Sequence, residues 1–467
     1  MAAAEAYTLF QTSCSTPPLT TQVNFVSSPD SRGTLDILWS SLFTIVACTW
    51  TVQHLNVPEQ RNGRDPGWVG SLRWKLKGFL TSAKWMLITV IAPEVVITTA
   101  SSDLFEAKSL GRKLQRFALE DNVPWTLSHT YFANMGGFVI QSDVQDPHAT
   151  PYITAKSTPT NNHPDTTTFA TADSNASQER KIVEPKENSL PATISENGQS
   201  RPYRNPYHLK ATQIYKLRKE RVLPKLPHIS KEELEDKSKS DSFVKTIAIF
   251  QIIWAVIQII VRTARKLAIS QLELAVIAFA TCAVVIYILY WSKPKSPSTT
   301  ITILQYRDQI PKDVLKLIEV DVGSRLGFVL DFSPETRVGR DGSRILNDEV
   351  DEDGDSAFPM SLRTTLFGGI HIGAWNFNFP SRIELIFWRC ASLYSAAFII
   401  VFVLSAFVGN LISKLLGKET NKFPILLSMF LYVVARLYLL VEVFRTLCFL
   451  PSDAYIATWA TNIPHVG

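Results

Sequence analysis

Five cysteines are all that 467 residues hold, and no two stand at CxxC spacing. None has a histidine at metal-ligand spacing, so neither a zinc motif nor a disulfide framework is expected. Cys14 is alone in the N-terminal segment. Cys48, Cys282, Cys390 and Cys448 fall in apolar stretches, where cysteine acts as a small apolar side chain. The eight histidines include no two close enough on a helix to hold a metal. There is no P-loop, GxSxG, HExxH or GxGxxG, which removes the common signatures of phosphate cradles, serine nucleophiles, zinc proteases and dinucleotide sites. The acidic run 347–355 (NDEVDEDGD) fails as an EF-hand. With Gly354 at the turn, Glu349 and Met360 would be the end ligands, and both are wrong. It reads as a solvated acidic loop. Net charge is only +5, without a basic stripe interleaved with aromatics, so nucleic-acid binding is not indicated. No metal or cofactor is implied, and the balance leans away from an enzyme.

What the chain does have is apolar length. A mean hydropathy of +0.07 averages long apolar blocks with polar, Ser- and Pro-rich ones. Eleven Trp and 26 Phe suit a membrane protein, whose helix ends are anchored by aromatic rings. Residues 35–53 are long enough to span and run out towards Pro58. Residues 68–84 mix Trp and Leu with Lys and Arg, the pattern of an interfacial amphipathic helix. The next block, 85–100 (WMLITVIAPEVVITTA), is short and interrupted at Pro93-Glu94. It reads as a second span, with a re-entrant segment as the alternative. Residues 244–261 and 271–291 form a second hairpin, and 385–411 and 423–450 a third.

The expected fold class is an all-α membrane protein: about six transmembrane helices in three hairpins, with two large, partly disordered extramembrane regions. The divisions are an N-terminal arm (1–33), a first hairpin (34–100), a polar region (101–242), a second hairpin (243–291), a second extramembrane region (292–384), a third hairpin (385–450) and a tail (451–467). Within the polar region, 149–200 is rich in Ser and Thr and is expected to be disordered. Ser230 and Glu233 match a capping box. In the second region, 301–307 (ITILQYR) and 324–332 (SRLGFVLDF) suggest a strand pair, and the aromatic, uncharged piece 366–379 suggests a dip into the interface.

Lys and Arg in short connections mark the cytoplasmic side. With six spans, the basic connections 54–84, 262–270 and 413–422 share that side. Both termini and both large regions then face the lumen or the exterior, in a plasma or secretory-pathway membrane. Asn175-Ala176-Ser177 fits a glycosylation sequon in a region so placed, which gives a glycoprotein reading.

Glu94 lies midway along one apolar block and Arg436 midway along another. A charge at the bilayer centre costs about 2.5–3.5 kcal/mol on insertion scales. The two are therefore expected to pair at matching depth. The pair is either a strut fixing helix order, the favoured reading, or the lining of an ion or proton path. A helix broken at Pro93-Glu94 is also the kind that transporters use for binding. Glu442 and Arg445, three apart on one helix, are expected to pair locally. Gln251, Trp254, Gln258 and Arg262 share one face of the third span, which should look inward. Glu273 is expected to close its hairpin against Arg262, Arg265 or Lys266.

Several phrases resemble a large family of fungal multi-pass membrane proteins without an assigned activity. They are 33–58, 84–94 (KWMLITVIAPE), 131–138 (YFANMGGF), 236–241 (DKSKSD), 371–388 (HIGAWNFNFPSRIELIFW) and the closing Ile463-Pro464-His465. The resemblance implies a fungal source and a membrane location, and it carries no catalytic residues. The functional expectation is a non-enzymatic scaffold, receptor-like or accessory component whose large regions contact protein partners. The alternatives are a transporter or channel at the Glu94/Arg436 level and an integral-membrane enzyme acting on a lipophilic substrate.

Overall fold

The computed structural model describes residues 22–23, 32–61, 65, 67–143, 192–194, 200–202, 205–236, 242–318, 344–345, 347, 357–416 and 422–458. Helices dominate: α1 (Thr34–Thr51), α2 (Gly67–Ile91), α3 (Pro93–Asp121), α4 (Leu127–Asn134), α5 (Ala211–Lys219) and α6 (Lys231–Asp236). Then come α7 (Ser242–Ala264), α8 (Gln271–Leu289), α9 (Lys312–Ile318), α10 (Ala357–Ile372), α11 (Arg382–Leu416) and α12 (Lys422–Arg445). Among the described residues five helices are long and apolar enough to cross a membrane, and the bent pair α2–α3 is a sixth candidate.

Two apolar cores follow from the two kinds of sequence. The first lies among the long helices and includes Ile37, Ile97, Leu272, Phe279, Phe367 and Trp388. Here α1 lies against both α7 and α8, and α11 against α10 and α12. The second core builds a head from the far half of α3 with α4, α5, α6 and α9; Leu114, Phe132, Phe138, Ile140, Leu209 and Ile214 fill it. A three-stranded sheet belongs to this head. Its centre is β2 (Phe138–Ser142), antiparallel to β5 (Tyr207–Leu209) and parallel to β6 (Ile301–Tyr306). The strand expected at 301–307 thus forms, but pairs with β2; the segment 324–332 lies outside the described residues. Phe138, Val139 and Ile140 are all buried, so β2 is apolar on both faces and suits a central position. Part of the stretch expected to be disordered forms strands: β3 (Ala192–Ile194) and β4 (Ser200–Pro202) pair antiparallel, with β-branched Thr193 and Ile194 in β3. The Ser230 hydroxyl accepts from the Glu233 amide at 3.1 Å, capping α6.

The long helices have two ends, which we call the arm end and the head end. At the arm end β1 (Gln22–Val23) pairs with β7 (Leu450–Pro451), bringing the start of α1 beside the end of α12. The α7–α8 turn and the α10–α11 turn are there too: Gln271 Nε2, at the start of α8, donates to Asn378 O at 3.0 Å. At the head end, His54 after α1 lies 4.8 Å from the Tyr290 ring after α8. Asn56 N donates to Asn347 Oδ1 there at 2.7 Å. Since residue 347 is at the head end and Asn378 at the arm end, α10 leads from one to the other. Its Phe367 lies edge-on to Phe279 of α8 at 5.0 Å. Residues 366–372, grouped by sequence with the second extramembrane region, therefore lie among the long helices.

The pair α2–α3 differs most from a straight span. The two axes are bent by 109° at Ala92. Pro93 causes this. It has no N–H to continue the ladder, and its ring pushes Ala92 out of the helical region, to φ −143° and ψ 70°. Both outer ends point to the head end. Lys77 of α2 reaches Glu59 at 3.3 Å, and Asp103 of α3 takes Lys293 at 2.6 Å. The three basic connections therefore do not share an end. Those at 54–84 and 413–422 are at the head end and the α7–α8 turn is at the arm end.

Two predictions test these arrangements. A Cβ on Gly368 of α10 would sit 2.3 Å from the backbone nitrogen of Ala396 in α11, whereas Gly369 faces open space. Gly368→Ala is expected to cost about 1–3 kcal/mol in thermal unfolding of the purified chain, and Gly369→Ala almost nothing. In the head, burial holds the His129 and His208 pKa values below the ordinary histidine range. The unfolded chain then binds more protons than the folded head below its own histidine pKa. Stability should fall as pH drops below about 6.5, by up to about 1.4 kcal/mol per pH unit for each histidine. Unfolding curves of wild type and His208→Asn from pH 7.5 to 5 check this: the variant should lose less.

Candidate functional site

The break at Ala92 frees backbone groups at the centre of the bundle. In an unbroken helix the Val95 amide would bond the Ile91 carbonyl; here it turns to Ala92 O at 3.1 Å. The Ile91 carbonyl is left without a backbone partner. Arg436 of α12 supplies one, donating from Nε at 2.7 Å. The same guanidinium lies over the Phe367 ring, 4.0 Å from its centroid. His371, one turn on, lies 4.7 Å from Phe367 and donates from Nδ1 to Phe367 O at 2.9 Å. Trp388 of α11 donates to His371 O at 3.2 Å.

Glu94 sits in the first turn of α3, 5 % exposed. Its charge and that of Arg436 act on one another, but no direct ion pair joins them among the described residues. Glu94 Oε2 has no hydrogen-bond partner. Each charge instead complements a helix end: a cation at the carbonyl end of α2, an anion at the amide end of α3. The expected pair is thus brought to one depth, where each member serves a terminus of the broken helix. A cavity of about 20 Å³ beside Arg436, bounded by Ile91, Phe279, Phe367 and His371, has room for about one water.

The other polar positions fall at the arm end. Gln251, Trp254 and Arg262 are buried and Gln258 is half-buried, with Gln251 and Gln258 beside Ser41 and Thr44 of α1. Glu273 takes none of the three expected bases. It accepts from Arg32 Nη2 at 2.6 Å and caps α8 through the Ser270 amide at 2.9 Å. Arg262 turns to carbonyls: Ala268 O at 2.8 Å, Ala454 O at 2.8 Å, Asp453 O at 3.0 Å and Ile456 O at 3.1 Å. It staples the α7–α8 turn to the chain beyond α12. Glu442 and Arg445 do pair, at 3.2 Å, and Arg445 also meets Glu384 of α11. Asn175 lies outside the described residues.

A second cluster was not singled out by sequence. At the head end Asp103 accepts from Lys293 Nζ at 2.6 Å and from Tyr290 OH at 2.9 Å. Tyr131 donates to Leu289 O at 3.1 Å, and burial together with Asp103 pushes its pKa well up. Gln53, His54 and Asn134 also border the cavity of about 50 Å³ here. Among the described residues no group of three or more His, Cys, Asp or Glu could hold a metal.

The described geometry can be set against known proteins. Residues 3–159 and 212–321, more than half of the chain, match a family of unknown function, DUF8562. The chain belongs to that family. The DUF8562 match takes in α1–α9, with Glu94, Asp103, Arg262, Glu273 and Lys293, and stops short of α10–α12 with Phe367, His371 and Arg436. No curated protein and no solved structure matches the chain.

The cap can be separated from a salt bridge by a double-mutant cycle on thermal unfolding. Arg436→Leu should cost about 1.5–3 kcal/mol by leaving the Ile91 carbonyl unpaired. Glu94→Gln should cost less than about 1 kcal/mol, and the two changes should be nearly additive. A double variant as stable as the wild type would instead make the two residues a mutually dependent pair.

Proposed function

We propose that the protein is a non-enzymatic, receptor-like membrane component in which an intramembrane helix break is mechanically joined to a cytosolic head. One observation carries this reading. The 29 residues of α3 run without interruption from the break at Pro93, beside Arg436, into the head core at Leu110, Leu114 and Ala118. A change in how the break is capped would tilt a rigid rod whose far half is a wall of the head. The Asn122 cap, in the left-handed region at φ 56°, ends the rod where the head chain turns back. A transporter would need an aqueous path to the break, and the cavity beside Arg436 holds about one water.

In a bilayer this reading has a definite topology. α1, α7, α8, α10, α11 and α12 cross, and α2–α3 enters and leaves on the head side. Both termini then lie on the arm side. The head-side connections at 61–84 carry six basic residues; Lys293, Lys295, Lys414, Lys418 and Lys422 add to them. The head side is accordingly the cytosolic one and the arm side lumenal or extracellular. This reverses the side expected for the two large regions. Asn175, in the connection between β2 and β5, stays unglycosylated.

Labelling with a membrane-impermeant maleimide tests the topology, in a background with Cys14, Cys390 and Cys448 replaced by Ala. Lys266→Cys should label in intact cells and Lys108→Cys only after permeabilisation; the reversed pattern, with Lys108→Cys labelled from outside and Lys266→Cys only after permeabilisation, is what a crossing α2–α3 would give. Hydrogen exchange tests the coupling. Glu94→Gln should change amide protection at 110–121 in the head, and unaltered rates there would leave break and head independent.

A further inference from the structure

The first half of α2 presents an exposed apolar arc that also carries charge. Trp68, Leu72, Leu76, Phe79 and Leu80 are all exposed, Trp68 to 79 %. Their spacing of 4, 4, 3 and 1 residues places them on one arc of the helix. Lys75 borders that arc on one side and Arg73 and Lys84 on the other. All three are exposed and hold no ion pair among the described residues. No Asp or Glu occurs between Gly67 and Ala92. The second half of α2 behaves differently: Trp85 and Thr89 are buried, and Ile91 ends under Arg436. The helix thus changes from an exposed apolar arc rimmed by cations to a segment with one buried face at Trp85 and Thr89, over a single unbroken run.

We propose that residues 68–84 of α2 dock on the anionic headgroup layer of the leaflet beside the head. This rests on the topology above and specifies the surface on which the head sits. The apolar arc goes into the acyl boundary, and the flanking bases extend to the headgroup phosphates and carboxylates. Charge decides the occupant. A rim that is wholly basic complements an anionic surface, and the cytosolic leaflet is the anionic one. The docked segment leads directly into the Arg436-capped break, so lipid composition acts on the same rod that reaches the head.

The test uses the full chain in nanodiscs of phosphatidylcholine alone or with added phosphatidylserine, reading hydrogen exchange at 68–84. Protection should rise at least about fivefold with phosphatidylserine, return to the phosphatidylcholine level in high salt, and show no rise in Arg73→Gln/Lys75→Gln/Lys84→Gln. Equal protection in the two lipids overturns the proposal, as does a serine-lipid effect that survives the triple substitution. Protection along α8 (Gln271–Leu289) reports whether each variant is folded. Both leaflets of a disc have one composition, so this result does not depend on which side is cytosolic. The maleimide pattern reads that separately.

Discussion

The bond from Arg436 to the carbonyl of Ile91 is the interaction on which the rest of the bundle depends. Proline at position 93 makes it necessary. It removes one donor, forces Ala92 out of the helix and releases the Ile91 carbonyl inside the bundle. An unpaired carbonyl in such surroundings costs several kcal/mol, of the order of a lost buried hydrogen bond. A guanidinium meets the need and is itself relieved of isolation. Its partners fix three elements at once: α2 through the carbonyl, α10 through the Phe367 ring, and α12 through its own backbone.

The fold-back of α2–α3 sets the parity of everything after it. Because the pair returns to the head end, α7 runs from head to arm and the α7–α8 turn falls beside the arm. Arg262 can then reach the carbonyls of 453–456, and Glu273 can reach Arg32. Had residues 85–100 crossed, those partners would lie at opposite ends of the bundle. The helix α10 leads back from the head end to the arm end. Its 16 residues span only about 24 Å, less than a hydrocarbon core of about 30 Å.

These lengths explain what was legible in the sequence. Apolar runs of 18 residues or more announced α1, α7, α8, α11 and α12, and Pro93 announced the break. Equal depth in two apolar blocks links Glu94 with Arg436. Periodicity carries no direction, so it could not say that the chain turns back at Ala92. The stretch holding Phe367 and His371 is too short for a span and too aromatic for a loop, so composition alone suggests an interfacial dip. Asp103 follows the apolar block 85–100 and Lys293 follows the end of α8, where charges usually meet headgroups; only the meeting of α3 with the end of α8 makes them a pair. Arg32 and Glu273 are 241 residues apart, beyond any local pattern. The family match adds no activity to this, since the family has none assigned.

The identity of the residue at 436 follows from geometry more than from charge. Any cation would complement the carbonyl end of α2. The position asks for two further things. One donor must point at Ile91 O along the side-chain plane, and the face of the same group must lie flat on Phe367. A planar guanidinium does both at once, while an ammonium is a hydrated point that can do either only by forgoing the other. Glu94 shows the converse: with Oε2 unpartnered, its contribution is the charge at an amide end, and geometry constrains it little. The two residues share a depth because they share a broken helix, each answering one of the two ends that Pro93 created.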